Sequence, residues 1–384
     1  MANRIVLNET SYHGSGAIGH IVDEATRRGF KKAFICTDPD LVKFGVSAKV
    51  TSLLDEAGLN YEVYSNIKAN PTIENVQTGV SSYQASGADY IIAIGGGSSM
   101  DTAKAIGIII NNPEFSDVRS LEGVAPTKNP SVPIIAVPTT AGTAAEVTIN
   151  YVITDIEKKR KFVCVDTHDI PVIAVVDPDM MASMPASLTA ATGMDALTHA
   201  IETIVTPGAY PVSDATALSA VKIIFDYLPR AVENGHDIEA REQMVYAVFL
   251  GGIAFSNAGL GNVHAMAHQL GGIYNLPHGV CNAMLLPYVE EENAKYVPEK
   301  FVSIANVLGY DVEGKSAQEC AAFVVKSMKE LAKKVGIPAT LGELGVNEVN
   351  FDLLAENAMK DICAPGNPVE FTKEQIIGLY KKIV

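Results

Sequence analysis

Cysteine is sparse and scattered in this 384-residue chain. Cys36, Cys164, Cys281, Cys320 and Cys363 make an odd number, and no two of them form a CxxC pair. A disulfide framework and a thiolate zinc site are therefore not expected, and a reducing compartment, the cytoplasm, is the expected location. Long hydrophobic runs are also missing. No uncharged apolar stretch reaches about 18 residues, and the first four residues lead into Ile5, Val6 and Leu7 without a signal-type segment. No membrane partner is expected. Basic residues are in deficit, with 29 Lys and Arg against 44 Asp and Glu for a net charge of −15. That balance argues against nucleic acid and anionic membranes, both of which attract basic surfaces. Apolar material is plentiful at 48%, with 19% charged residues, so disorder is excluded. At about 150 residues per domain, the length implies two or three domains.

The chain reads as two halves. Up to residue 185, short β-branched runs at 32–37, 60–64, 90–94, 132–137, 151–154 and 172–176 alternate with segments of helical spacing. That alternation predicts a mostly parallel sheet with helices on both faces. Over 186–384 long helical patterns follow one another, at 188–204, 213–228, 239–256, 261–270, 317–334 and from 373 onward. The expected architecture is an α/β, Rossmann-like dinucleotide-binding domain over 1–185 and an all-α metal-binding and substrate domain over 186–384. A cleft between them is the expected ligand site.

Residues 90–104, YIIAIGGGSSMDTAK, place Gly95, Gly96 and Gly97 after an apolar strand, with Ser98 and Ser99 opening a helical segment. Glycines let a backbone approach a phosphate, and a helix N-terminus favours its charge. The GxGxxG fingerprint fails because Met100 stands where its last glycine belongs, and a GGGS stretch also serves as a plain strand–helix turn. A second element follows the strand ending at Val137, where Thr139, Thr140 and Thr143 surround Gly142. Ligands of open α/β sheets sit at that carboxyl edge; capping accounts for one threonine, not the cluster. Asp38, after the strand at 32–37, suits a ribose and repels a 2′-phosphate, which favours NAD. It equally suits a cap ahead of Pro39.

Eight histidines are present, and four of them fall in apolar, Gly-rich, largely helical context in the second half. Asp195 and His199 form an i, i+4 pair, as do His264 and His268, and His278 follows in NLPHG. Several buried imidazoles beside a carboxylate need a shared partner, because unpaired buried polar groups are costly. A divalent metal is the economical one. Asp plus imidazoles without thiolate suits Fe²⁺, Zn²⁺ or Mn²⁺, and spacing does not say which of His264, His268 and His278 bind. Four protein ligands would close a tetrahedral zinc site, whereas a five- or six-coordinate ion keeps a position for substrate, which favours iron.

GGGSSMDTAK, PTTAGTAAEVT, Asp195-xxx-His199, His264-xxx-His268 and Pro277-His278-Gly279 together resemble the iron-containing (group III) alcohol dehydrogenases over essentially the whole chain. The stretches at 111–123, 139–155, 161–171 and 193–202 resemble a subgroup acting on small 2-hydroxyaldehydes. Ala144 and Ala145 stand where many members have Gly-Ser. The resemblance implies the dehydroquinate synthase-like fold, with NAD and Fe²⁺ as cofactors (zinc the alternative) and a small aldehyde or alcohol as substrate. It implies Asp195, His199, His264 and His278 as metal ligands and His268 as an active-site histidine outside the ligand set. Gly95, Gly96, Gly97, Ser98 and Asp101 match the pyrophosphate region. Thr139, Thr140 and Thr143 match the second cofactor segment, Asp38 the ribose-side acid, and Asn70 in Asn70-Pro71-Thr72 a motif beside the cofactor. Phe255 and Cys363 match positions near the substrate pocket. A homodimer is implied, with residues 5–7 as an intersubunit strand. The same chemistry on ethanol, butanol or propane-1,3-diol is the first alternative, and a non-redox lyase of related architecture the second.

Overall fold

Residues 90–95 are apolar at every position, as a strand covered on both faces requires, and in the computed structural model they form a strand with no exposed residue. The structure describes residues 2–158 and 160–384. The strands are β1 (Thr10–His13), β2 (Lys32–Cys36), β3 (Asn60–Tyr64), β4 (Tyr90–Gly95), β5 (Ile134–Pro138), β6 (Asn150–Asp155), β7 (Arg160–Val165) and β8 (Ile173–Val176). The helices between them are α1 (His20–Arg28), α2 (Pro39–Lys43), α3 (Ala48–Glu56), α4 (Ile73–Ser86) and α5 (Gly97–Asn111).

Six strands make one sheet in the order β1-β8-β5-β4-β2-β3, with every pairing parallel. Side chains alternate across it. Ile35, Ile92, Ile94, Ile135 and Val137 pack with Ile21, Val50 and Leu54 of α1 and α3. Phe34, Ile91, Ala93, Ile134 and Ala136 pack with Tyr83, Met100, Ala103 and Ile106 of α4 and α5. Each fully buried Ile or Val contributes about 1.5–3 kcal/mol, so helices on both faces fix the register. From β2 the chain first moves outward to β3, then returns to place β4 on the other side of β2. Such a reversal opens a crevice at the carboxyl ends of the two strands.

Three strands depart from expectation: β6 in its pairing, and β1 and β7 in being present at all. The run at 151–154 does not join the parallel sheet: β6 pairs antiparallel with β7, in the register Val152↔Val163. Its burial alternates residue by residue, the mark of a strand covered on one face only. β1 was not expected from its polar sequence TSYH, and it forms the sheet edge beside β8. Residues 5–7 form no strand, and Ile5 and Leu7 are exposed.

The rest of the chain is helical: α6 (Ala186–Val205), α7 (Pro211–Glu233), α8 (Ile238–Ala258), α9 (Asn262–Tyr274), α10 (His278–Asn293), α11 (Lys300–Val307), α12 (Ala317–Lys334), α13 (Phe351–Ala358) and α14 (Lys373–Tyr380). α10 was not anticipated, because Gly279 and Pro287 interrupt its pattern. Between α9 and α10 the chain turns at Asn275, a non-glycine residue with φ of 54°, which Asn tolerates better than most residues. Pro277 then sets His278 as the first residue of α10. No single helix among the described residues is long and apolar enough to cross a membrane. By compactness the chain divides into two units. One comprises Val6–Thr140 and Ala144–Ser183; the other comprises Met184–Val384, the loop Ala141–Thr143 and the opening residues up to Ile5.

Candidate active site

In the α/β unit, the carboxyl ends of β2, β4 and β5 bring the candidate nucleotide residues together. Gly95 ends β4 at φ 153°, and a Cβ there would lie 2.3 Å from the Ser99 hydroxyl. Gly96 packs on Thr140 closely enough that a Cβ would lie 3.1 Å from its Oγ1. The Thr139 amide donates to the Gly95 carbonyl at 3.0 Å, tying the loop after β5 to the loop after β4. α5 starts at Gly97 with no side-chain cap and no acid in its first turn, so its leading N–H groups are available to an anion. This loop fits a dinucleotide pyrophosphate: Gly95 and Gly96 leave no room for side chains, and the N–H groups that open α5 meet no capping side chain.

Asp38 is the N-cap of α2, accepting the Leu41 amide through Oδ1 at 2.9 Å. Asn70 lies in the left-handed region at φ 57° and accepts from Lys161 Nζ at 2.8 Å. Asp101 turns elsewhere. Its carboxylate accepts the Val152 amide of β6 at 3.1 Å, and burial, opposed by Lys104, pushes it up to about 7. Thr143 falls within the helical unit.

In the helical unit, α6 presents Asp195, His199 and Glu202 along one buried stripe, while α9 presents His264 and His268. Ligand-capable atoms of Asp195, His199 and His264 all lie within 4.8 Å of one another. His278 Nε2 lies 3.7 Å from Asp195 Oδ1. Asn282, one turn along α10, donates its amide to Asp195 Oδ1 at 2.6 Å and reaches the Nε2 atoms of His264 and His278 at 3.1 Å each. Glycine makes this approach possible. A Cβ at Gly279 would lie 2.4 Å from the Ala191 carbonyl and 3.3 Å from Asp195 Cβ.

Ring packing fixes the imidazoles. His199 stacks on Phe255 of α8 with centroids 4.2 Å apart and on His264 at 4.7 Å. Burial pulls His199 down to about 4 and His264 down to about 3, against the pull of Asp195. Both rings are thus neutral, the form that binds a metal. Glu202 supports His264 from behind. Its Oε1 accepts the Val263 amide at 2.7 Å, and its Oε2 meets His264 Nδ1. Carboxylate behind histidine is the usual second ring around a bound cation, and it leaves Nε2 as the binding nitrogen. One carboxylate and three imidazoles, without thiolate and without a cationic side chain among them, fit a divalent iron.

His268 belongs to a separate group with Asp361 and Cys363. Its Nδ1 lies 2.9 Å from Asp361 Oδ2. Burial pushes the Asp361 carboxyl up, but the neighbouring His268 and the hydrogen bonds from His268 and Cys363 outweigh it and hold the group below its ordinary value. Burial raises the Cys363 thiol well above its ordinary value.

Three side chains at these groups were not singled out from sequence. Glu202 shares a helix face with His199 at i+3, and Asn282 with His278 at i+4, so helical spacing alone would have found both. Asp361 lies 93 residues beyond His268 and left no local signal.

Residues 8–178 match the family model described as iron-containing alcohol dehydrogenase, and residues 189–384 match the C-terminal model of the Fe-containing alcohol dehydrogenase family. The chain is 55% identical over 380 residues to lactaldehyde reductase of Escherichia coli K12, covering 99% of both. Among solved structures, a 1,3-propanediol oxidoreductase superposes with a TM-score of 0.96 at 40% identity, covering 100% of both chains. Sulfoacetaldehyde reductase from Bifidobacterium kashiwanohense in complex with NAD⁺ superposes at 0.86 with 28% identity, covering 100% of this chain and 99% of that one.

Proposed function

The chain belongs to the iron-containing alcohol dehydrogenase family, and on that premise we propose that it interconverts lactaldehyde and propane-1,2-diol with NAD(H). The observation that carries this reading is the group of buried Asp195, His199 and His264 with half-buried His278, in a chain so similar to a lactaldehyde reductase over its whole length.

We assign cofactor binding to residues 1–185 and metal and substrate binding to 186–384. Gly95, Gly96, Gly97 and Ser98, with the start of α5, receive the pyrophosphate. Asp38 receives the adenosine ribose through the oxygen its helix cap leaves over, and that negative charge selects NAD over NADP. Asn70, Thr139, Thr140 and Thr143 complete the cofactor contacts, and Asp101 backs the loop from within. Asp195 and the three imidazoles hold the metal ion. When bound, the divalent ion draws charge from the substrate oxygen and the nicotinamide carries the hydride. His268 accepts or returns the alcohol proton at Nε2, so no stronger base is needed. Phe255 fixes the His199 ring, and with Cys363 it shapes the wall met by a short substrate.

The enzyme is assigned to the cytoplasm as a homodimer. Free thiols at all five cysteines suit a reducing compartment, and exposed Ile5 and Leu7 offer apolar surface to a second copy. The test is an aldehyde panel with NADH on anaerobically prepared, iron-loaded protein. Lactaldehyde should give the highest kcat/KM. A higher value with 3-hydroxypropionaldehyde, acetaldehyde or butyraldehyde would move the substrate assignment to that aldehyde. NADH left unconsumed with every small aldehyde would overturn the oxidoreductase reading.

A further inference from the structure

His268 is held by a partner that comes from far along the chain. Asp361 Oδ2 faces its Nδ1 at 2.9 Å, and the same oxygen accepts from Gln269 Nε2 at 3.3 Å. The other oxygen, Oδ1, accepts the Cys363 amide at 3.0 Å. The His268 and Asp361 side chains are 6% and 7% exposed. A carboxylate that already receives an amide and a carboxamide N–H is an acceptor, so the proton on the ring sits on Nδ1. Which imidazole nitrogen carries the proton is set by the hydrogen bond that the other nitrogen makes. The His268 ring also lies parallel to that of His278, with centroids 5.4 Å apart and planes at 15°, so its orientation is fixed as well as its tautomer.

We infer that Asp361 is a positioning residue: it locks His268 as the Nδ1–H tautomer, which leaves Nε2 as a lone-pair acceptor for the alcohol proton. The role given to Nε2 rests on the proposed function; the tautomer does not. In alcohol oxidation the hydroxyl proton passes to Nε2, the ring becomes cationic between Asp361 and substrate, and the proton leaves again to water. In aldehyde reduction the order reverses. Asp361 acts through His268 and does not take the proton itself.

An Asp361→Asn variant separates this role from general support of the fold. The Cys363 amide still requires the amide oxygen, so the new NH₂ faces His268 Nδ1 and turns the ring into the Nε2–H tautomer. Histidine-selective ¹⁵N NMR of the zinc-loaded protein, with the His268 resonances assigned by their loss in His268→Gln, reads this directly. The wild type should show a protonated Nδ1 and the Asn variant a protonated Nε2. In the iron-loaded enzyme, kcat for diol oxidation should fall about 100-fold or more, the range of a lost general base. KM for NAD⁺ and diol should stay within about twofold, and Asp361→Glu, which keeps the acceptor, should retain the Nδ1–H tautomer and recover most of kcat.

A wild-type His268 protonated at Nε2, or an Asn variant with unchanged kcat, would overturn the inference. So would a second equivalent of bound metal in the wild type that disappears in Asp361→Asn, because the trio would then be ligands. If the Asn variant fails to fold, the wild-type spectrum and the Glu variant still decide. Nδ1–H in an enzyme inactive with every alcohol would leave the tautomer standing and sink the functional reading instead.

Discussion

Glu202 on α6 grips the head of α9 through His264, meeting its Nδ1 with one carboxylate oxygen and taking the Val263 amide with the other. The imidazole is thereby aimed by a helix other than its own. Glu202→Gln keeps the shape and removes the charge behind the ring. The expected result is a 10–100-fold weaker hold on iron or zinc, measured by competition against a chelator of known affinity.

Removing the ion should destabilise the fold as well as stop turnover. The proposed ligands come from α6, α9 and α10, so a cation bound by them would stabilise the folded state by about 2.7 kcal/mol at a hundredfold excess over its Kd. Dialysis against a chelator should lower Tm by several degrees, and iron or zinc should restore it. His264→Ala should show the low Tm with or without metal. Metal retained with full turnover in that variant would remove His264 from the ligand set.

Asp38 caps α2, and one substitution can separate that role from the NAD selection proposed for it. Glycine at an N-cap costs only a few tenths of a kcal/mol relative to Asp, so Asp38→Gly should leave Tm nearly unchanged. The ratio of kcat/KM for NADH to that for NADPH should fall by about tenfold, the effect of relieving roughly 1.4 kcal/mol of repulsion. An unchanged ratio would show that the carboxylate serves α2 alone.

Acid should loosen the α/β unit through Glu24. Its carboxylate accepts from the Tyr12 hydroxyl at 2.7 Å, Arg27 Nη2 at 2.6 Å and Arg28 Nε at 3.0 Å. Burial pushes the group up, but these donors prevail and hold it at about 2, below its ordinary 4.5. A folded value below the unfolded one means the stabilisation is complete above pH 4.5 and drains away as pH falls toward 2. Tm of the wild type should therefore drop more steeply across that window than Tm of Glu24→Gln, and the two curves should meet at its acid end.

Gly279→Ala tests the helix contact that brings His278 to Asp195. The added methyl meets the Ala191 backbone, which has no rotamer by which to move aside. Overpacking of this kind costs about 1–3 kcal/mol. Metal affinity should fall together with Tm, whereas Gly378→Ala, inside α14 with nothing near its Cβ, should leave metal affinity unchanged and raise Tm slightly.

What was legible in the sequence follows the range of the forces involved. The Asp195–His199 and His264–His268 pairs are local helix geometry, and Gly95 after an unbroken apolar strand is local strand chemistry, so each could be placed from its neighbours. β1 was hidden because an edge strand needs few apolar residues, and its partner β8 lies some 160 positions away. β6 looked like its parallel neighbours until its pairing with β7 was known. Prolines conceal α10: Pro277 stands one residue before the N1 position where Pro marks a helix start, and Pro287 lies inside the helix, where Pro reads as a break. Asp361 needed the tertiary fold itself.

The ring stack gives the metal cage unequal stiffness. His199 is clamped on both faces, by Phe255 and by His264, so that wall cannot yield. His278 begins its helix and its side chain is 27% exposed, so this side of the group faces solvent. An ion held by these residues should therefore enter and leave past His278, the exposed member of the group. Engineering for a different metal should start at the residues around His278 and leave the His199 stack untouched.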